Sequence, residues 1–239
     1  MTILAIDTSE TCCSAALLFG DGTSVAKSED IGRGHAERLL PMIEELLADA
    51  GIGYDSLARL AVVTGPGTFT GLRIGLSVAR GLALALKIPC LGLMSLPVIA
   101  AEVLASAGDG GKVHVVTKGR GGQVFYQLYE SSKSAEGKGE NDMPLAVGAP
   151  RNIDADVAAK LVMATPGLIG GSGVSALRDF MPDVPAIADM PEHNIRAVDP
   201  IRLASLSAAL KSAAYPTEPT YLRPADAIKA KATFPVIES

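Results

Sequence analysis

The sequence predicts an α/β fold in two lobes, each a mixed sheet with flanking helices, and three observations carry that prediction. A short apolar strand, TILAID (2–7), is followed by a hairpin in which CCSAALLF and TSVAKS meet at Gly20, Asp21 and Gly22, residues suited to a tight turn. LARLAVVTG (57–65), the helical run TFTGLRIGLSVARGLALAL (68–86) and IPCLGLM (88–94) then alternate as parallel strands with crossover helices do. A second series starts after GDGG at 108–111. We therefore expect an N-terminal α/β lobe over 1–108 and a more divergent one over 109–239.

The remaining elements follow in order. Between Gly34 and Ala50, apolar Ala36, Leu39, Leu40, Ile43, Leu46 and Leu47 recur at three and four residue spacing among Glu37, Glu44 and Glu45, which predicts an amphipathic helix stopped by Gly51 and bent near Pro41. SLPVIAAEVLASA (95–107) continues the first lobe as a helix. In the second, VHVVTK and QVFYQLYE read as strands, the charged SSKSAEGKGEND (131–142) as a mobile loop, IDADVAAKLVMA (153–164) as a helix, GLIGG (167–171) as a strand end and PIRLASLSAALKSAA (200–214) as a late helix.

Composition narrows the function. The chain has 239 residues, 48% of them hydrophobic and only 4% aromatic, so a sizeable core must pack largely on small aliphatic side chains. A net charge of -5 argues against free-standing nucleic-acid binding, which needs a basic footprint. No run reaches the roughly 18 apolar residues of a membrane span, and the N-terminus lacks a basic segment ahead of an apolar one, so we expect a cytoplasmic protein. Cys12, Cys13 and Cys90 form neither a disulfide set nor a metal knuckle and read as buried thiols.

VVTGPGTFTGLRIG (62–75) is the most informative stretch. It lacks the lysine and polar positions of a GxxxxGK[ST] phosphate loop, so a sharp turn at Gly65 and Gly67 with Thr68 or Thr70 capping the next helix is the simpler reading. In that helix Gly71, Gly75, Ala79 and Ala83 lie four apart, forming a smooth strip where another backbone can approach. Helical glycine costs about 1 kcal/mol relative to alanine, so the strip predicts close contact with a partner helix, from a second copy or a relative. On another face Arg73, Ser77, Arg80 and Leu84 align, as a solvated or partner-facing edge.

AIDTSETCCSAALL, GHAERLLPMIEELL, GPGTFTGLRIGLSVARGLALAL with IPCLGLMSL, and PTYLRP (219–224) together resemble the TsaB (YeaZ) family, densely through 3–105 and thinly through 110–215. That resemblance implies the two-lobed actin-like, Hsp70-like ATPase (ASKHA) fold. It also implies a non-catalytic subunit of the complex that makes threonylcarbamoyladenosine in tRNA, joined to its catalytic relative TsaD through the first two helices, with the ATPase TsaE as a further partner. The expected interface is Ala36, Leu39, Leu40, Ile43, Gly71, Arg73, Gly75, Ala79 and Ala83. Transfer RNA would be met only through the complex, and the isolated chain could form a homodimer.

The residues agree with a loss of catalysis. Where the catalytic relative carries an HxExH-type metal motif, this chain reads GLMSLPVIAA (92–101), without a ligand until Glu102. His35, His114 and His193 stand apart with no second ligand at metal spacing, so no metal and no cofactor are expected. GGSGV (170–174) lacks the fifth-position glycine of a nucleophile elbow, which leaves Ser172 a poor hydrolase candidate. Asp7, Thr8 and Ser9 with Gly170 and Gly171 match the places of nucleotide loops in actin-like ATPases and form a candidate degenerate nucleotide cleft; a turn cap and a strand end are the plainer alternative. Lys118, Gly119 and Arg120 replace the family's usual DAR, turning an acidic position basic. An actin-like ATPase or a glycoprotease-like peptidase is the competing reading.

Overall fold

The computed structural model describes residues 1–107, 111–132, 143–181 and 198–223. The first sheet joins β1 (Thr2–Asp7), β2 (Cys12–Leu18), β3 (Ser24–Asp30), β4 (Leu57–Gly65) and β5 (Cys90–Met94) in the order β3-β2-β1-β4-β5. β1, β2 and β3 are antiparallel, whereas β1, β4 and β5 are parallel, with the helix α2 (Phe69–Leu86) linking β4 to β5. Strand alternation divides the core. Leu4 and Ile6 of β1 face α1 (His35–Asp49) and α2, while Ile3 and Ala5 face α3 (Ser95–Ala107) and a late helix, α5 (Pro200–Ala208).

The second sheet has β6 (Lys112–Lys118), β7 (Gln123–Glu130), β8 (Leu145–Asp154) and β9 (Leu168–Gly170) in the order β8-β7-β6-β9. α4 (Ala155–Ala164) covers one face with Ala155, Ala158 and Ala159; Val113, Val115 and Tyr129 on the other join the cluster around α3, which thus packs against both sheets. The chain then returns to the first sheet. α5 packs on β1 and β2, and Tyr215 and Thr220 continue it through backbone bonds with Gly92 and Thr64.

Capping fixes the ends of the helices that matter. Gly51 takes a left-handed φ of 67° after α1, and the Ile52 amide closes on Leu47 O at 3.0 Å. Thr68 caps α2 by accepting the Gly71 amide at 3.2 Å. Asp199 does the same for α5, taking the Ile201 amide at 2.8 Å ahead of Pro200. Its far end is held by Arg59 of β4, whose Nη1 donates to the carbonyls of Ser207 (2.5 Å), Ala208 (3.0 Å) and Leu210 (2.9 Å).

Several expectations need correction. β8 is a ten-residue strand in a stretch to which sequence patterning assigns no element up to residue 152, and α4 begins at Ala155 rather than 153. Gly148 and Pro150 look like breakers, but β8 is an edge strand, which tolerates proline, and Gly148 with φ 79° sits at a bulge where Gln127 Nε2 donates to its carbonyl at 2.8 Å. α5 ends at Ala208, and residues 212–214 form a separate 3-10 turn. Only Cys13 is buried; Cys12 and Cys90 are half-buried. α2, at 18 residues, is long and apolar enough by length and composition to cross a membrane. Its inner residues Gly71, Leu72, Gly75, Leu76 and Ala79 are instead buried in this fold. The GDG at 108–110, most of the charged segment (133–142), His193 and Pro224 lie outside the described residues.

Candidate functional site

The strip of small residues on α2 faces inward, which corrects the expectation of a helix seam there. Gly71 is small because the carbonyl of Thr8 occupies the place of a side chain, and a Cβ on Gly75 would lie 2.6 Å from Thr8 Oγ1. Thr8 Oγ1 donates to Gly71 O at 2.7 Å, and the Thr68 amide donates to Ser9 O at 2.6 Å. The loop after β1 is thus stitched onto the first turn of α2, and the close approach the glycines permit is to the chain itself. Leu39 and Ile43 of α1 are core residues at 0% exposure, so they too are unavailable to a partner.

What α2 presents outward is the other stripe: Phe69, Arg73, Ser77, Arg80 and Leu84 are all exposed, Leu84 at 81%. Ala83 beside it is half-buried against the core, and α1 adds exposed Ala36 and Leu40. The stripe is ordered by the last described segment. Arg73 stacks on Phe69 with 3.7 Å to the ring centroid and donates to Tyr221 Oη at 3.2 Å, Tyr221 packs on Phe69 at 5.3 Å, and Arg80 donates to Thr217 Oγ1 at 3.1 Å and to its carbonyl. Patterning alone assigns Tyr221 no role, although PTYLRP contains it.

Asp7, Thr8 and Ser9 at the end of β1, and Gly170 and Gly171 at the end of β9, come to opposite sides of one contact. Gly171 holds φ 109° with no room for a side chain beside Val116 O. The turn it makes carries Ser172 across to the first sheet, where its hydroxyl donates to Glu10 Oε1 at 2.7 Å and accepts the Lys118 amide at 3.0 Å. Burial raises Asp7 to about 6 and Glu10 to about 7, Asp7 adding to the shift of Glu10 and Lys118 opposing it. Asp7 Oδ2 and Thr117 Oγ1 are buried without a hydrogen-bond partner. Glu10 escapes the sequence motifs, although it directly follows Asp7-Thr8-Ser9.

This arrangement does not fit the triphosphate that an actin-like fold would hold. Glu10 lines the gap with Asp7 buried behind it, and the Thr8 and Ser172 hydroxyls are committed to Gly71 O and Glu10. It does not fit a serine hydrolase either: His114 is bonded to Tyr126 and to Thr165 O, at 2.8 and 3.0 Å. Among the described residues no group of three or more His, Cys, Asp or Glu is arranged to hold a metal ion. GLMSLPVIAA is the buried junction of β5 and α3, with Ser95 Oγ donating to Pro66 O at 3.1 Å.

Two mixed sheets joined through a shared helix, with a gap between their loop ends, define the actin-like, Hsp70-like class. YeaZ of Pseudomonas aeruginosa superimposes with a TM-score of 0.71 at 27% identity, over 92% of this chain and 99% of that one. The family described as TsaD, tRNA N6-adenosine threonylcarbamoyltransferase, matches residues 27–142. A tRNA threonylcarbamoyladenosine biosynthesis protein TsaB from Escherichia coli is 37% identical over 140 residues, 59% of this chain and 60% of that protein. The Haemophilus influenzae TsaB is 43% identical over 42% of each chain. The chain thus aligns with about half the length of these curated relatives. An uncharacterised Mycobacterium bovis protein is 31% identical over 233 residues, 95% of this chain and 93% of its own. The chain belongs to the TsaB (YeaZ) family.

Proposed function

We propose that this chain is a non-catalytic scaffold subunit of the tRNA threonylcarbamoyladenosine complex, pairing with a TsaD-like catalytic subunit through the outer faces of α1 and α2. The observation that carries the reading is the exposed stripe on α2, above all Leu84 at 81% exposure, on a family member whose named relatives serve that pathway. Leu40, Ala36, Arg73 and Ala83 complete the contact, and large apolar side chains left open in this way are what interfaces use. A TsaE-like ATPase is the further partner, tRNA is engaged only through the complex, the isolated chain forms a homodimer through the same face, and the protein works in the cytoplasm without a cofactor of its own.

The test is reconstitution. Threonylcarbamoyl transfer to tRNA by the TsaD-like and TsaE-like proteins of the same cell should fall to background when this chain is left out, and the chain alone should transfer nothing. Transfer or ATP hydrolysis by the chain alone would favour the enzyme reading instead.

A further inference from the structure

A cavity of about 600 Å³ opens at the N-terminal end of α2, within the size range of small-molecule sites. Its walls come from four separated segments: the loop after β1, the β4–α2 turn, the β6–β7 turn and residues 220–223. The rings of Phe69, Phe125 and Tyr221 make it largely apolar, while Lys118 and Arg120 bring positive charge to one side. The first turn of the 18-residue α2 adds the positive end of its macrodipole. Glu10 is the acid in the wall, and its carboxyl is held by Ser172.

We infer that this cavity binds a small amphiphilic anion: a largely apolar, ring-sized body carrying one carboxylate or phosphate. The rings take the body and Lys118 and Arg120 take the charge. A polyphosphate is disfavoured because Glu10 lines the site and Asp7 lies behind it. The inference does not rest on the proposed partnership, since the cavity is built from this chain alone.

Calorimetry on the purified full chain, at constant ionic strength, tests it with four probes: 4-phenylbutyrate, phenyl phosphate, inorganic phosphate and ATP. Either ring-bearing anion should bind at least tenfold tighter than inorganic phosphate, the better of the two telling carboxylate from phosphate. ATP should bind no tighter than inorganic phosphate. The double variant Lys118→Gln, Arg120→Gln, both exposed positions, should weaken the ring-bearing anion tenfold or more. Tyr221→Ala should weaken it while leaving inorganic phosphate unchanged, with circular dichroism verifying the fold of each variant. No binding of the ring-bearing probes at millimolar concentration, binding indifferent to the double variant in a folded protein, or ATP binding tightest would each overturn the inference.

Discussion

The Ser172 hydroxyl donates a 2.7 Å hydrogen bond to Glu10, joining residues 162 positions apart and tying the turn after β9 to the loop after β1. Beneath it Asp7 is fully buried, so the contact between the two sheets is made at a pair of carboxyl groups rather than at an ion pair.

That pair makes stability pH-dependent in a definite direction. Asp7 and Glu10 are raised to about 6 and about 7 by burial, so both hold protons more tightly folded than unfolded. Their contribution is complete below the ordinary carboxylate range and is lost as pH rises through 6 and 7. His35 and Lys118 also face the pair and oppose its shift. Urea midpoints should therefore be higher at pH 5 than at pH 8. Glu10→Gln should remove most of the dependence near pH 7, which for a shift of this size is on the order of 2 to 3 kcal/mol. A variant with the wild-type slope would contradict the assignment.

The glycines of α2 give opposite responses. Gly71→Ala sets a methyl group against the Thr8 carbonyl and should destabilise by about 1 to 3 kcal/mol. Gly81 is exposed in the same helix, and a methyl group added there would meet nothing within 4 Å, so Gly81→Ala should gain about 0.5 to 1 kcal/mol. Thermal or urea unfolding checks both. If both variants moved stability the same way, the inward facing of the strip would be wrong.

Arg59 should matter more than its place on a strand suggests. Arg59→Met strips the donor from three carbonyls at the end of α5, and about 1 to 3 kcal/mol should be lost. Hydrogen exchange should rise across 203–215 and change little in α1. Uniform change across the chain would point to a general loss instead.

What the sequence makes legible here is what is local. The three- and four-residue spacing of α1, the short apolar run of β1 and a threonine cap ahead of α2 are decided within a few residues; the elements lie where patterning places them, and of Thr68 and Thr70 it is Thr68 that caps. α2 carries two regular stripes, and periodicity cannot say which faces the core. The smooth stripe takes that side because the loop at Thr8 must sit against Gly71. β8 hides behind Gly148 and Pro150, whose effect depends on edge position and a bulge partner in β7. The Glu10–Ser172 contact spans much of the chain, so no window of sequence contains it.

The proposed partnership is tested most directly by the affinity of this chain for its TsaD-like partner, measured by calorimetry for wild type, Leu84→Glu and Leu40→Glu, with circular dichroism to establish folding. Both leucines are exposed, so the folds should survive, and each substitution should weaken pairing by at least tenfold, about 1.4 kcal/mol. Wild-type affinity in both folded variants would contradict a partnership made through the outer faces of α1 and α2.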